Sequence, residues 1–154
     1  MSIAAYRLTN TLHAVIAFDG EGARLYGGRW NSVGTRMVYL AGSRSLATLE
    51  VLVHTEDITI IEGQYSIIPV VIPTEIVLEV SDDELPDGWS SPEPIAETQI
   101  FGDAWIRENR SAVMSVPSAI TNGERNYLIN PAHPDFPQIA IGTPEPFRLD
   151  PRLR

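Results

Sequence analysis

Gly27-Gly28-Arg29-Trp30-Asn31, and Glu50 about twenty residues later, are the residues of this chain best suited to chemistry. A glycine pair lets backbone approach a ligand closely. The arginine beside it offers a planar, permanently charged fork that fits a phosphate or a carboxylate. Glu50 stands among Leu46, Ala47, Leu49, Val51, Leu52 and Val53 on a helical pattern expected to be buried nearly all round. An ionised carboxylate there needs a cationic partner or a polar cavity. It is either half of a buried ion pair with an arginine or an acid that acts on a bound molecule. Arg29 is open in the same way, as a surface arginine stacked on Trp30 or as a grip on an anion. Loop and acid together describe a small enzyme that holds a phosphorylated molecule and uses one carboxylate on it.

Other candidates carry less by themselves. Arg7 lies among apolar neighbours, a charge where packing is expected. Tyr39 sits on a short strand, where aromatics are more often core than ligand platforms. Ser118 follows Pro117 at a strand end, and ordinary turn chemistry accounts for it. No histidine is placed to activate it as a nucleophile. Asn31 and Ser32 read as turn builders before Gly34. His13, His54 and His133 are far apart and match no metal-ligand spacing, so no metal is expected. The P-loop, G-x-S-x-G and G-x-G-x-x-G patterns are missing too.

Composition narrows the classes further. The 154 residues fit one domain able to bury roughly 70% of its unfolded surface. With no cysteine, disulfides, thiolate metal sites and cysteine nucleophiles are excluded. All 11 basic residues are arginine, a bias that GC-rich coding explains and that rules out lysine Schiff bases. The net charge of −9 disfavours nucleic acid as the main partner. No run reaches the roughly 18 apolar residues of a membrane span, and no signal pattern opens the chain, so a cytoplasmic location is expected.

The elements that must position these residues are legible in outline. Strands are expected over residues 3–8, 37–40, 65–72, 75–80, 112–116, 127–130 and 138–141. The run at 65–72 reads as a central buried strand, although Pro69 implies an edge or a bulge. Helices are expected from Ser43, as N-cap, to about residue 54, and over 95–109. Residues 19–36 read as an irregular, glycine-rich loop, and 82–94 as turns. The class is α+β, a single compact domain with a split, mostly antiparallel β core and a few helices.

Taken in order, several of these segments resemble the RES domain: Tyr6-Arg7, Gly27 to Ser32 with Gly34-Thr35, Val38-Tyr39, and Ala47-Thr48-Leu49-Glu50. Downstream, Gly102-Asp103-Ala104-Trp105, Val116-Pro117-Ser118-Ala119, Glu124, Asn126, Asn130-Pro131 and His133-Pro134-Asp135-Phe136 continue the match. It runs from Tyr6 to about Arg152, so residues 1–154 are read as one RES domain. The arginine, glutamate and serine that name the domain map onto Arg29, Glu50 and Ser118. Arg36-Met37 departs from the pattern, which leads one to expect a proline and a small aliphatic residue, and puts the local loop shape in question.

The resemblance implies a fold like that of ADP-ribosyltransferases. It implies a toxin of a type II toxin–antitoxin pair that degrades NAD⁺, by hydrolysis or with inorganic phosphate as co-substrate, and releases nicotinamide. It implies an Xre-like helix-turn-helix antitoxin that blocks the pocket. In that reading Glu50 stabilises positive charge developing on the ribose, and Arg29 and Arg7 hold the diphosphate. Tyr39 stacks on nicotinamide, and Ser118 orients the ribose or the attacking nucleophile. A protein-modifying ADP-ribosyltransferase is the alternative, and a non-catalytic NAD-binding module a third.

Overall fold

In the computed structural model, which describes residues 1–54 and 64–153, eight strands pair into one sheet. They are β1 (Ser2–Asn10), β2 (Val38–Ala41), β3 (Tyr65–Pro73), β4 (Val77–Glu79), β5 (Val113–Pro117), β6 (Arg125–Ile129), β7 (Ala140–Ile141) and β8 (Glu145–Pro146). Their order is β4-β5-β6-β2-β1-β3-β7, with β8 also on β3. Only β4 and β5 run parallel. The expected α+β class with a mostly antiparallel sheet is therefore what forms. Three helices accompany it among the described residues: α1 (Glu21–Tyr26), α2 (Arg44–Val53) and α3 (Ala96–Glu108).

Strand alternation gives the sheet two unlike faces. One carries a single apolar cluster that includes Ala5, Val38, Leu40, Ile68, Val70, Val113, Tyr127 and Ile129. The other carries two. Beside α3 lie Trp30, Met37, Trp105, Met114, Val116 and Leu128, with Tyr39 packed against them. Beside α2 lie Ala41, Leu46, Ala47 and Ile67, with Tyr6 and Leu8. The candidate site residues are distributed by this division.

Several expectations need correction. β3 is not central: it lies between β1 and the short strands β7 and β8, while β2 holds the middle. Pro69 explains why. β7 meets β3 at Val70 and Val71, and β8 meets it at Ser66 and Ile67, so Pro69 falls in the gap where no donor is required. Its carbonyl still accepts the Gly142 amide at 2.8 Å. Helix α1 forms inside the supposed irregular loop, bounded by Gly20 (φ 76°) and Gly27 (φ 73°). Arg24 and Arg36 both pair with Glu21, so Arg36 fastens α1 while Met37 enters the core. The strand expected over 75–80 shrinks to β4 behind a 3-10 turn, and β8 lies outside the expected strands.

Helix α2 starts as expected, with Ser43 Oγ accepting the Leu46 amide at 3.0 Å. It is not buried all round. Leu46 and Ala47 are buried, but Val53 is 58% exposed, because only one side of the helix meets the sheet. Glu50 is thus half-buried on the helix flank.

Helix α3 approaches the 27–32 loop so closely that a Cβ on Gly102 would stand 1.7 Å from the Trp30 carbonyl oxygen. Backbone cannot yield as a flexible side chain would. Gly102→Ala is expected to destabilise by about 2–3 kcal/mol, read as a lower urea midpoint with an unchanged slope.

Candidate active site

The Gly27–Ser32 loop is held from two sides. From β2, the Tyr39 hydroxyl accepts the Trp30 amide at 3.0 Å and donates to Asn31 Oδ1 at 2.7 Å. Asn31, fully buried, donates its Nδ2 hydrogens to the carbonyls of Ala23 (2.8 Å), Thr35 (3.0 Å) and Ser32 (3.2 Å). A Cβ on Gly28 would meet the Tyr39 hydroxyl at 2.7 Å, so that position must be glycine. From α3, Gln99 Nε2 donates to the Gly28 carbonyl at 3.1 Å, and Asp103 accepts both the amide and the hydroxyl of Ser32. Gln99, Gly102 and Asp103 have the i, i+3, i+4 spacing of one helix face. Asn31 and Ser32 therefore do build the loop, but through long-range contacts.

Arg29 does not stack on Trp30. Trp30 turns inward against Trp89 and Phe101, with ring centroids 6.4 and 6.0 Å away. The Arg29 guanidinium reaches the 89–92 segment instead. Nη1 donates to the carbonyls of Trp89 (2.8 Å) and Ser91 (2.7 Å), and Nη2 to that of Pro92 (3.5 Å). Both Nη1 hydrogens are thereby used. Nε, on the side-on edge that it forms with Nη2, makes no hydrogen bond among the described residues.

Glu50 meets a neutral partner, not an arginine. Asn126 Nδ2 donates to Glu50 Oε1 at 2.9 Å, and Oε2 makes no hydrogen bond among the described residues. Asn126 sits on β6 opposite Ala41 of β2 and Val116 of β5. It shares a sheet face with Leu128, which faces Tyr39, so the Glu50–Asn126 pair lies where the two apolar clusters of that face adjoin. Two residues earlier on the approach to β6, Glu124 accepts the hydroxyl of Ser43, the α2 N-cap, at 2.7 Å. One stretch of chain thus grips α2 at its start and again two turns later.

Ser118 and Tyr39 both border this seam. The Ser118 amide donates to the Glu124 carbonyl at 2.9 Å, which extends the β5–β6 ladder by one step. Ser118 and Tyr39 are therefore diagonal neighbours of Asn126, at about 7–8 Å between backbones. Ser118 Oγ accepts the amides of Ile120 and Thr121, each at 3.0 Å, and donates its own hydrogen to none of the described residues. The Tyr39 hydroxyl is already committed to the loop, and burial pushes its phenol well above the ordinary value. Arg7 lies elsewhere. It pairs in register with Ile68 of the single-cluster face, opposite the face that bears Asn126. Its guanidinium donates to the carbonyls of Ala17 (2.7 Å) and Tyr39 (3.0 Å), and burial lowers its pKa against the opposing pull of Asp19.

Asp103, Glu124 and Asn126 lie in segments that carry the RES resemblance, but their contacts, and Gln99 altogether, are not written in local motifs. Alternation along β6 adds a second signal, since it places Glu124 and Asn126 on the same face as apolar Leu128.

A one-sheet α+β domain with a half-buried carboxylate anchored at one oxygen, beside a clamped arginine loop, has the build of a small enzyme. Residues 4–150 match the RES domain, and the chain belongs to that family. A protein named Toxin Res from Photorhabdus laumondii is 40% identical over 131 residues, 85% of this chain and 83% of that one. The Prs ADP-ribosylating toxin of a Sphingobium species is 36% identical over 159 residues, 99% and 98% of the two chains. In fold, the chain is similar to one from the crystal structure of the M. tuberculosis MbcT–MbcA toxin–antitoxin complex. The TM-score is 0.78 at 21% identity, covering 96% of this chain and 85% of the other. No helix among the described residues is long and apolar enough to cross a membrane.

Two expected outcomes separate scaffold from site. Tyr39→Phe strands the Trp30 amide and Asn31 Oδ1, a loss of about 1–3 kcal/mol. Because the folded phenol is raised, its stabilisation is full below the unfolded value of about 10 and is lost as pH rises through the folded one. Urea unfolding across alkaline pH should show a flatter decline for Tyr39→Phe than for the wild type. Arg7→Met should lower stability by a similar amount while leaving the KM for the substrate unchanged.

Proposed function

We propose that this chain is a toxin that degrades NAD⁺ by cleaving its nicotinamide–ribose bond, and so arrests growth. The observation that carries the reading is the Glu50 carboxylate, fastened through Oε1 and without a hydrogen bond at Oε2 among the described residues, in a RES domain. The C–N bond breaks with its electron pair leaving on nicotinamide, a neutral and competent leaving group. The ribose passes through an oxocarbenium-like state, and an ionised Glu50 stabilises that positive charge while accepting a ribose hydroxyl. The Nε side of Arg29, where only the long Nη2 bond to the Pro92 carbonyl is made among the described residues, suits one phosphate of the dinucleotide. Ser118 keeps a hydroxyl hydrogen to orient the ribose or the incoming nucleophile. Water as nucleophile yields ADP-ribose; inorganic phosphate yields its phosphorylated counterpart. Tyr39 supports the loop through its hydroxyl, and its ring is suited to stack on nicotinamide. Arg7, on the other face, is assigned to the scaffold.

One observation favours a second reading. A relative that matches nearly the whole chain is named an ADP-ribosylating toxin. The same cleavage with a protein nucleophile would transfer ADP-ribose to that protein. The likeness to a chain of a toxin–antitoxin complex supports an antitoxin partner for this protein; in our reading that partner is of the Xre-like helix-turn-helix kind and covers the seam. An acidic toxin of net charge −9 leaves contact with DNA to that partner and suits a cytoplasmic location.

Purified protein incubated with NAD⁺ should consume it without added protein, and dependence on phosphate selects phosphorolysis. NAD⁺ that stays intact until an acceptor protein is supplied establishes the second reading instead. Glu50→Gln should reduce turnover by on the order of 100-fold or more while circular dichroism shows the fold retained.

A further inference from the structure

We infer that Asn126 is the positioning residue for Glu50, holding one carboxylate oxygen so that the other is presented to substrate; this rests on the proposed role of Glu50. The hydrogen bond between them spans 76 positions of sequence and joins β6 to α2. Its direction is dictated by chemistry. An ionised carboxylate only accepts, so the amide must turn its Nδ2 toward Glu50. The consequence is visible on the other side of the same amide. Asn126 Oδ1 is buried and has no hydrogen-bond partner among the described residues.

A buried acceptor without a donor carries its full desolvation cost, and an apolar side chain would avoid it. Flipping the amide would give no relief, since Oδ1 would then face a carboxylate oxygen. The fold therefore tolerates an unpaired oxygen at the position that donates to Glu50 from the sheet. Elsewhere the same face is apolar, as at Leu128, or partnered, as at Glu124 with Ser43. A residue kept for packing would be better as leucine; a residue kept to orient a carboxylate must carry an N–H.

Because Oδ1 is buried, Asn126 acts through Glu50 and not on substrate. A glutamate has three side-chain torsions, and on a helix flank it samples several rotamers unless held. The bond to Nδ2 removes that freedom. The grip of Glu124 on the α2 N-cap fixes the helix that carries Glu50, so the two contacts divide the work between backbone and side chain.

Asn126→Leu, which fills the space without polar atoms, and Asn126→Ala are the variants to compare. Expected are a melting temperature at or near the wild-type value and a kcat for NAD⁺ loss reduced by on the order of 100-fold. KM should stay within about threefold, because binding is untouched. In the Glu50→Gln background, Asn126→Leu should add almost no further loss. Folded variants with wild-type kcat, or a loss that adds in full to that of Glu50→Gln, would overturn the inference. Growth arrest on induction keeps the two proposals apart if NAD⁺ is not the substrate. Relief by Glu50→Gln and by Asn126→Leu with NAD⁺ levels constant sustains the positioning role and rejects NAD⁺ degradation. Relief by Glu50→Gln alone rejects the positioning role, and arrest that persists in Glu50→Gln rejects both.

Discussion

The Tyr39 hydroxyl is the point on which the site depends. One buried oxygen accepts the Trp30 amide and donates to Asn31, and Asn31 in turn ties the loop to the carbonyls of Ala23 in α1, Ser32 and Thr35. A loop rich in glycine has much conformational freedom to lose, and few side chains of its own to offset that loss. Here the order is imposed from outside, by a strand residue on one side and by Gln99 and Asp103 of α3 on the other. Gly28 and Gly102 make this possible, because a methyl group at either would collide with what holds the loop. Arg29 is delivered by the same arrangement, already bound through Nη1 and Nη2 to the 89–92 carbonyls.

The sheet decides which polar residues meet. Its single-cluster face absorbs Arg7 as a scaffold residue that ties β1 to the carbonyls of Ala17 and Tyr39. The other face is divided between an α3 cluster and an α2 cluster, and the Glu50–Asn126 pair stands where they adjoin. Such a boundary is a favourable place for an acid. Apolar neighbours on both sides lower the local dielectric, which strengthens electrostatic effects, and the helix flank keeps Glu50 partly exposed.

Much of this architecture is legible in the amino-acid sequence. The Ser43 cap, the limits of α2 and α3, and strands β1, β2, β5 and β6 follow from hydrophobic period and cap chemistry, which act over a few residues. Where expectation and fold part, the cause is non-local. Helix α1 is hidden because its glycines, which bound it at positive φ, count as loop signals in a window. The 65–72 run suggests a central strand because apolar continuity reports burial and not neighbours. The all-round burial expected for α2 comes from composition, which cannot tell which side of a helix meets a sheet.

The sequence by itself determined the class, the family, and the residues Arg29, Glu50 and Ser118 as candidates, because residue type and order along the chain carry that information. Tertiary structure decided what each can do. It gave Glu50 a neutral partner, Asn126, 76 positions away, where the sequence left an arginine partner and a free acid both open, and it spent Nη1 of Arg29 on backbone carbonyls. It also moved Arg7 to the far face of the sheet. The physical reason is the same each time. A hydrogen bond is settled by register between strands and by which flank of a helix they meet, and neither is written in any short stretch of chain.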